Sequence, residues 1–152
     1  MKIKTSELTG RALDWAVALA IGMDIYICGR SRDDEYGWIG NYNVAAAAFK
    51  KPIITVSLCG DVHIEFQAEV KLYSPSTDWS QCGQLIDEYL DSLTRMSIDS
   101  PWVASCKAVT VDDFSIWKVQ TGDAPKIAIC RAVVAAKLGD EVEIPDELVE
   151  AK

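Results

Sequence analysis

Residues 73–79 form the segment whose side chains are best suited to binding a small molecule. They supply aliphatic hydroxyls, a carboxylate and two amphipathic rings, on Ser74, Ser76, Thr77, Asp78, Tyr73 and Trp79. The segment precedes a predicted helix, and the free N–H groups at a helix N-terminus favour anions. Flat aromatic faces combined with such donors suit a nucleobase and its phosphate. We therefore predict a ligand site at this turn.

The same residues also suit a purely structural role. Asp78 or Ser80 can cap the following helix, because a short side-chain oxygen accepts hydrogen bonds from the first backbone N–H groups. Trp79 would then pack into the core. The sequence leaves both interpretations open.

Residues 29–43 form the clearest loop in the chain, because charges, glycines and aromatics follow one another there without periodicity. Arg30, Arg32 and Trp38 can form a lid over a ligand, since loops rich in Arg and aromatics suit recognition. An exposed loop without a special use is the alternative interpretation.

Recognisable catalytic constellations are missing from the sequence. His63 is the only histidine, and no Ser or Cys nucleophile has a histidine partner motif. It falls on the same strand face as Glu65, where a lone histidine is usually an ordinary residue. The carboxylate pair Asp112-Asp113 suits a turn better than a metal site. Neither GxxxxGK(S/T) nor GxGxxG occurs. We predict no catalytic residues, no metal and no cofactor; weakly marked thiol or carboxylate chemistry is the least favoured interpretation.

The cysteines are odd in number and form neither a CxxC pair nor a Cys/His cluster; they are Cys28, Cys59, Cys82, Cys106 and Cys130. Several lie in apolar runs, where a free thiol behaves as a small hydrophobe. This pattern predicts reduced core cysteines rather than a disulfide framework or a zinc site. Cys82 lies near a predicted helix start, which can lower a thiol pKa, but packing is the favoured interpretation.

The negative charge is concentrated in the second half of the chain. The net charge is -8 overall, -1 over residues 1–77 and -7 over residues 78–152. Such a chain repels a phosphate backbone, so we expect no direct binding to duplex nucleic acid. The sequence shows no secretory signal and no apolar run near the ~20 residues that a membrane span needs. We expect a soluble cytoplasmic protein without membrane association.

Hydrophobic periodicity predicts three main helices. The first is capped by Thr5 or Ser6 and ends at Gly22, the second spans about 81–95, and the third runs from Asp123 as cap to Gly139. Residues 44–49 can add one or two helical turns.

Strands are predicted at 24–28, 53–58, 62–72, 102–110 and 114–119. Turn residues at Gly60-Asp61 and Asp112-Asp113 join the last four into two antiparallel hairpins. Along 62–72, apolar residues alternate with polar ones such as Glu65, which predicts one buried and one wet face. The fold class is therefore α+β, with two antiparallel β-hairpins forming a sheet packed against about three α-helices. We expect a single domain over 1–152, with an acidic C-terminal arm over 140–152.

Three ordered motifs carry a family resemblance. They are the opening Lys4-Thr-Ser-Glu-Leu-Thr-Gly-Arg-Ala-Leu-Asp-Trp-Ala-Val-Ala18, the central Tyr73-Ser-Pro-Ser-Thr-Asp-Trp79 with its continuation to Gly83, and residues 132–148. They resemble the NinX-type accessory proteins of lambdoid phages and prophages. Residues 24–71 depart from that pattern, and Cys82 stands where a small residue is expected. The resemblance implies phage origin and action in the host cytoplasm, and it supplies no catalytic residues.

Two functions remain in competition at this point. The leading hypothesis is a non-enzymatic phage accessory protein that binds a small ligand near Trp79, with a nucleotide signal of host defence as the candidate. The alternative is an interaction module that binds a host or phage protein through its acidic half or the 29–43 loop. A homo-oligomer is compatible with either.

Overall fold

A computed structural model describes residues 1–27, 52–57, 59–66, 69–111 and 114–149 of the chain. Within these ranges the helices are α1 (Gly10–Ala20), α2 (Trp79–Glu88) and α3 (Pro125–Leu138). The strands are β1 (Lys2–Lys4), β2 (Asp24–Ile27), β3 (Ile53–Val56), β4 (Val62–Phe66), β5 (Glu69–Leu72), β6 (Leu90–Thr94), β7 (Trp102–Val111), β8 (Phe114–Gly122) and β9 (Glu141–Glu143). The α+β class with antiparallel hairpins packed on helices is confirmed.

Helix α1 begins later than its sequence predicts. Thr5 lies in a short 3-10 helix, Thr5–Glu7, and α1 starts at Gly10. The Thr5 hydroxyl donates to the carbonyl of Gly139 at 2.7 Å, and its N–H donates to the carbonyl of Asp140 at 2.8 Å. Thr5 therefore joins the chain to the end of α3 and does not cap α1. The predicted stop is confirmed by Gly22, which has φ +80° just after the helix.

The first sheet has the strand order β2-β3-β4-β5. Strands β2 and β3 are parallel, whereas β3–β4 and β4–β5 are antiparallel. The hairpin predicted around Gly60 is confirmed. The single strand predicted over 62–72 is wrong, because the chain reverses after Phe66 and pairs this residue with Glu69.

The second predicted helix is shorter than expected. It ends at Glu88, and the stretch predicted to continue it forms strand β6 instead. Leu93 of β6 pairs with Ala104 of β7, next to the buried core. The Leu90–Leu93 spacing fits a helical stripe, but pairing with β7 overrides that local preference.

The second sheet has the strand order β6-β7-β8, and α3 packs on it. The hairpin β7–β8 confirms the prediction. Helix α3 has Ala124 at its N-cap instead of Asp123, and Pro125 takes the first helical position, where the absence of an N–H is harmless. Gly139 ends the helix with φ +95°, as predicted.

The acidic C-terminal arm packs as an extended segment. Strand β9 pairs with β1 in antiparallel fashion, and the 3-10 helix Asp146–Leu148 follows it. Ile144 and Leu148 are buried in the cluster to which all three helices and both larger sheets contribute. The predicted fraying concerns residues beyond 149, which lie outside the described ranges. No described helix is long and apolar enough to cross a membrane.

Candidate functional site

The predicted ligand turn is tied to the start of α2 by hydrogen bonds. Asp78 Oδ1 accepts from the N–H groups of Ser80 at 2.8 Å and Gln81 at 3.3 Å, so Asp78 is the helix cap. Gln81 in turn accepts from the Ser74 N–H at 2.6 Å and donates to the Leu72 carbonyl at 2.9 Å. The Thr77 hydroxyl donates to the Ser74 carbonyl at 3.3 Å. The capped-turn interpretation is therefore correct for these groups.

A buried carboxylate on α1 anchors the middle of the turn. Asp14 is only 4% exposed, and its Oδ1 accepts from the Ser76 N–H at 2.9 Å. Burial raises the pKa of Asp14 to about 6, although the backbone and side chain of Ser76 partly counteract this rise. Ser76 is itself buried. The contact fixes the turn against the helix from inside the core, 62 residues away in sequence.

Tyr73 and two cysteines lie beneath the turn. Tyr73 is buried, and burial raises its pKa. A hydrogen bond with Cys130 lowers the pKa of the Cys82 thiol, and Lys126 lowers it further, whereas the pKa of Cys130 is raised well above its usual value. Cys82 and Cys130 are both fully buried. Both are packed core thiols, and the pKa of Cys82 is lowered by Cys130 and Lys126, not by the helix start considered from the sequence.

Trp79 is the residue of the turn that faces solvent. Its side chain is 50% exposed, so the expectation that a structural turn would bury it in the core is wrong. The ammonium of Lys126 lies 4.6 Å from the centre of its ring, within the range of a cation–π contact. Trp79 is the first residue of α2 and Lys126 the second of α3. The N-termini of two helices thus meet at one exposed aromatic surface.

The predicted lid residues Arg30, Arg32 and Trp38 lie outside the described residues. Their role stays a prediction. Within the described ranges, no group of three or more His, Cys, Asp or Glu side chains is arranged to hold a metal ion.

A second surface with unusual chemistry lies on the β2–β5 sheet and was missed from the sequence. Cross-strand pairing places two rows of side chains on the face turned away from the main core, which we call the second face. The rows are Tyr26, Thr55, His63 and Leu72, and Asp24, Ile53, Glu65 and Val70. Ile54 and Val56 of the same sheet point the other way, into the core cluster.

Glu65 is the exceptional member of the second face. The expectation that it lies on a wet face is wrong, because only 1% of it is exposed. Among the described residues, neither carboxylate oxygen has a hydrogen-bond partner. Burial raises the pKa of Glu65 to about 7. The available sequence signal was its position beside His63 on one strand face, but alternation alone does not tell which face is covered.

A cleft of about 510 Å³ lies between β1, the start of α1 and the C-terminal 3-10 helix. Its lining includes Lys2, Lys4, Glu7 and Glu141 and none of residues 73–79. The mixture of positive and negative side chains favours no particular class of ligand. This cleft therefore does not support the predicted site at the turn.

The sequence of the chain matches the model of a known protein family. The family model of NinX from bacteriophage P22 matches residues 4–137. The chain belongs to the NinX family. This NinX member is a phage accessory protein, as the three motifs indicated. The matched span contains the 73–79 turn and also residues 24–71, which we expected to depart from the family pattern. No curated protein sequence matches the chain.

Proposed function

We propose that this NinX protein is a non-enzymatic binding protein, whose ligand is a small aromatic anion of the nucleotide class held at the surface of Trp79 and Lys126. The half-exposed Trp79 ring with the Lys126 ammonium 4.6 Å from its centre carries the proposal. A base can stack on an indole, and an ammonium is a point charge suited to a phosphate. Sequestration of a nucleotide signal of host defence, in the host cytoplasm, is the biological role that fits such binding.

The helix ends at this surface strengthen the case for an anion. Helix α3 has no side-chain cap, so the N–H groups of its first turn have no partner from an N-cap side chain. Helix α2, in contrast, is capped by the Asp78 carboxylate, which repels a phosphate. We therefore place the phosphate near Lys126 and the base on Trp79.

The remaining turn residues position this surface. Tyr73 and Ser76 are buried, and Ser74, Thr77 and Asp78 make hydrogen bonds within the turn and to α2. In this proposal they hold the Trp79 backbone at the start of the helix. Arg30, Arg32 and Trp38 lie outside the described residues, and in this proposal they are the candidates for a lid over the Trp79 surface.

The test compares two tryptophans of nearly equal exposure. Adenosine and guanosine mono- and diphosphates and their cyclic forms are titrated into the protein, with calorimetry as the readout. We expect Trp79→Ala to weaken binding at least about fivefold, since stacking contributes roughly 1–3 kcal/mol per base. Trp117→Ala is the matched control, because Trp117 is 47% exposed on β8. Lys126→Gln should also weaken binding, whereas Lys107→Gln should not.

Two outcomes count against the ligand proposal. One is the absence of binding by every nucleotide of the panel to the unaltered protein. The other is an equal effect of Trp79→Ala and Trp117→Ala, which would mean that the Trp79 surface has no special role.

A protein partner is the second candidate function, and strand β8 favours it. Trp117 and Val119 are 47% and 58% exposed and lie on the outer face of the second sheet. Exposed apolar residues of this kind mark interaction surfaces when they are contiguous. The acidic half of the chain fits a basic partner. Capture from an infected-cell lysate that is lost with Trp117→Ala and kept with Trp79→Ala would favour this function.

A further inference from the structure

The second face of the β2–β5 sheet contains one buried carboxylate, that of Glu65, which has no hydrogen-bond partner among the described residues. Glu65 sits on β4 between Ile53 of β3 and Val70 of β5. Side chains directly opposite each other on antiparallel strands have Cβ atoms roughly 4.5–5.5 Å apart. Neither neighbour can donate a hydrogen bond. The side chains directly across from Glu65 on both neighbouring strands are therefore apolar.

Leaving a buried carboxylate unpartnered is costly. A buried acceptor without a donor loses its hydration and gains nothing in exchange. The raised pKa of Glu65, about 7, expresses the same cost, because the neutral form is favoured by burial. An unpartnered buried polar group in a folded protein calls for an explanation, and one explanation is a donor brought by a ligand.

The described part of the second face holds no cation that could serve as this donor. Its titratable side chains are His63 on β4 and Tyr26 and Asp24 on β2. Lys71 of β5 pairs with Ile64 and so lies on the opposite face. A partner for Glu65 that carries positive charge must then come from beyond these strands.

The edge strand β5 lies directly beside Glu65. Val70 and Leu72 on β5 are 51% and 58% exposed, and they are the cross-strand neighbours of Glu65 and His63. Their side chains form an apolar rim beside the buried carboxylate. Apolar surface with a few convergent polar groups is the usual lining of a small-molecule site.

We propose that the second face binds a small amphipathic cation, whose planar guanidinium or amidinium group donates two N–H bonds to Glu65 while its apolar body lies against Val70 and Leu72. A planar fork of N–H donors matches the two oxygens of a carboxylate, and such charge-assisted pairs are the strongest hydrogen bonds available to it. This site is separate from the Trp79 surface and takes a ligand of opposite charge. It stands or falls independently of the nucleotide proposal.

The probes are benzamidine and its neutral isostere benzamide, titrated by calorimetry into the full chain. We expect benzamidine to bind the unaltered protein and benzamide not to bind. Glu65→Gln should weaken benzamidine at least about tenfold, which corresponds to roughly 1.4 kcal/mol. Glu69→Gln, which removes the same charge from an exposed position of β5, should leave the affinity within about twofold.

The pH dependence of binding separates a direct role of Glu65 from a general charge effect. The pKa of Glu65 is raised to about 7, so between pH 6 and 8 its carboxyl loses its proton, and the negative charge that results favours a cation. The affinity of the unaltered protein for benzamidine should rise over this range, and most of this rise should be absent in Glu65→Gln.

A direct measurement covers the case in which Glu65→Gln folds poorly. The pKa of the ¹³C-labelled Glu65 carboxyl in the unaltered protein should fall when benzamidine is added. The proposal is overturned if benzamidine does not bind, if benzamide binds equally well, or if the Glu65 carboxyl resonance does not respond to bound benzamidine.

Discussion

The turn at 73–79 and the second face of the β2–β5 sheet use polar residues in opposite ways. In the turn, Asp78 caps α2 and the Ser76 N–H is held by Asp14. On the second face, Glu65 is as deeply buried as Asp14 but has no donor among the described residues. The polar groups of a segment can thus be fully used in hydrogen bonds that hold the fold, which leaves few of them free to bind a ligand. The group with unused bonding capacity lies in a stretch that looks ordinary in sequence.

The largest effect that follows from this contrast concerns the partnered carboxylate. Asp14→Ala should destabilise the protein by about 3 kcal/mol, because it leaves the buried Ser76 N–H without an acceptor and opens a void. Asp14→Asn keeps an acceptor oxygen and should cost less than about half as much. Urea unfolding followed by circular dichroism measures both. Equal losses for the two variants would show that the hydrogen bond to Ser76 does not hold the turn.

The unpartnered carboxylate should behave in the opposite way. Glu65→Leu is expected to stabilise the protein by roughly 2–3 kcal/mol at pH 8, because it removes an uncompensated buried charge and adds apolar burial. Glu69→Leu, at an exposed position, should change stability by no more than about 0.5 kcal/mol. Destabilisation by Glu65→Leu would mean that Glu65 has a stabilising partner. The two buried carboxylates, Asp14 and Glu65, would then not differ in the way described.

The pH dependence of the free energy of unfolding should also change in Glu65→Leu. The pKa of Glu65 is raised from 4.5 to about 7 on folding, so the folded protein binds the proton more tightly. This contribution therefore favours the folded state below pH 4.5 and is lost as the pH rises to about 7. Asp14 contributes a similar loss of stability between pH 3.8 and about pH 6, because its pKa is also raised on folding. In Glu65→Leu the decline above about pH 6 should disappear, and the decline below pH 6 should be reduced to the part due to Asp14.

The smallest expected change in stability concerns Asp78, the N-cap of α2. Asp78→Ala should cost about 1 kcal/mol, the usual value for removal of an N-cap side chain. Asp87→Ala, at an exposed position near the other end of α2, should stay within about 0.5 kcal/mol. Thermal unfolding compares the two. Identical melting temperatures would mean that the hydrogen bonds from Ser80 and Gln81 contribute nothing net.

The parts of the fold that local chemistry determines could be predicted from the sequence. Pro125 and Gly139 mark the ends of α3, and Gly60 marks a hairpin, because each has a backbone preference of its own. The extent of α2 was not predictable in this way. Leu90 and Leu93 satisfy a helical stripe, and only pairing with β7 decides that they form a strand.

In the candidate site, too, the sequence predicts the features that depend on local chemistry and not those that depend on contacts between distant residues. Asp78 as a cap follows from residue type and position, and so does the aromatic character of Trp79. The contacts that define the surface do not, because Lys126 reaches Trp79 and Asp14 reaches Ser76 only in the folded chain. Glu65 was placed on the correct face of its strand, together with His63, but the alternation could not show that this face is covered as well.

The link from Thr5 to Gly139 has a consequence for the order of folding. The hydrogen-bonded atoms lie 134 residues apart in sequence, and β1 pairs with β9 over nearly the same separation. Closing so long a loop has a large entropic cost, which is reduced once the intervening elements are ordered. The β1–β9 pair should therefore form last and open first, by a local event that leaves the β7–β8 hairpin and α3 intact.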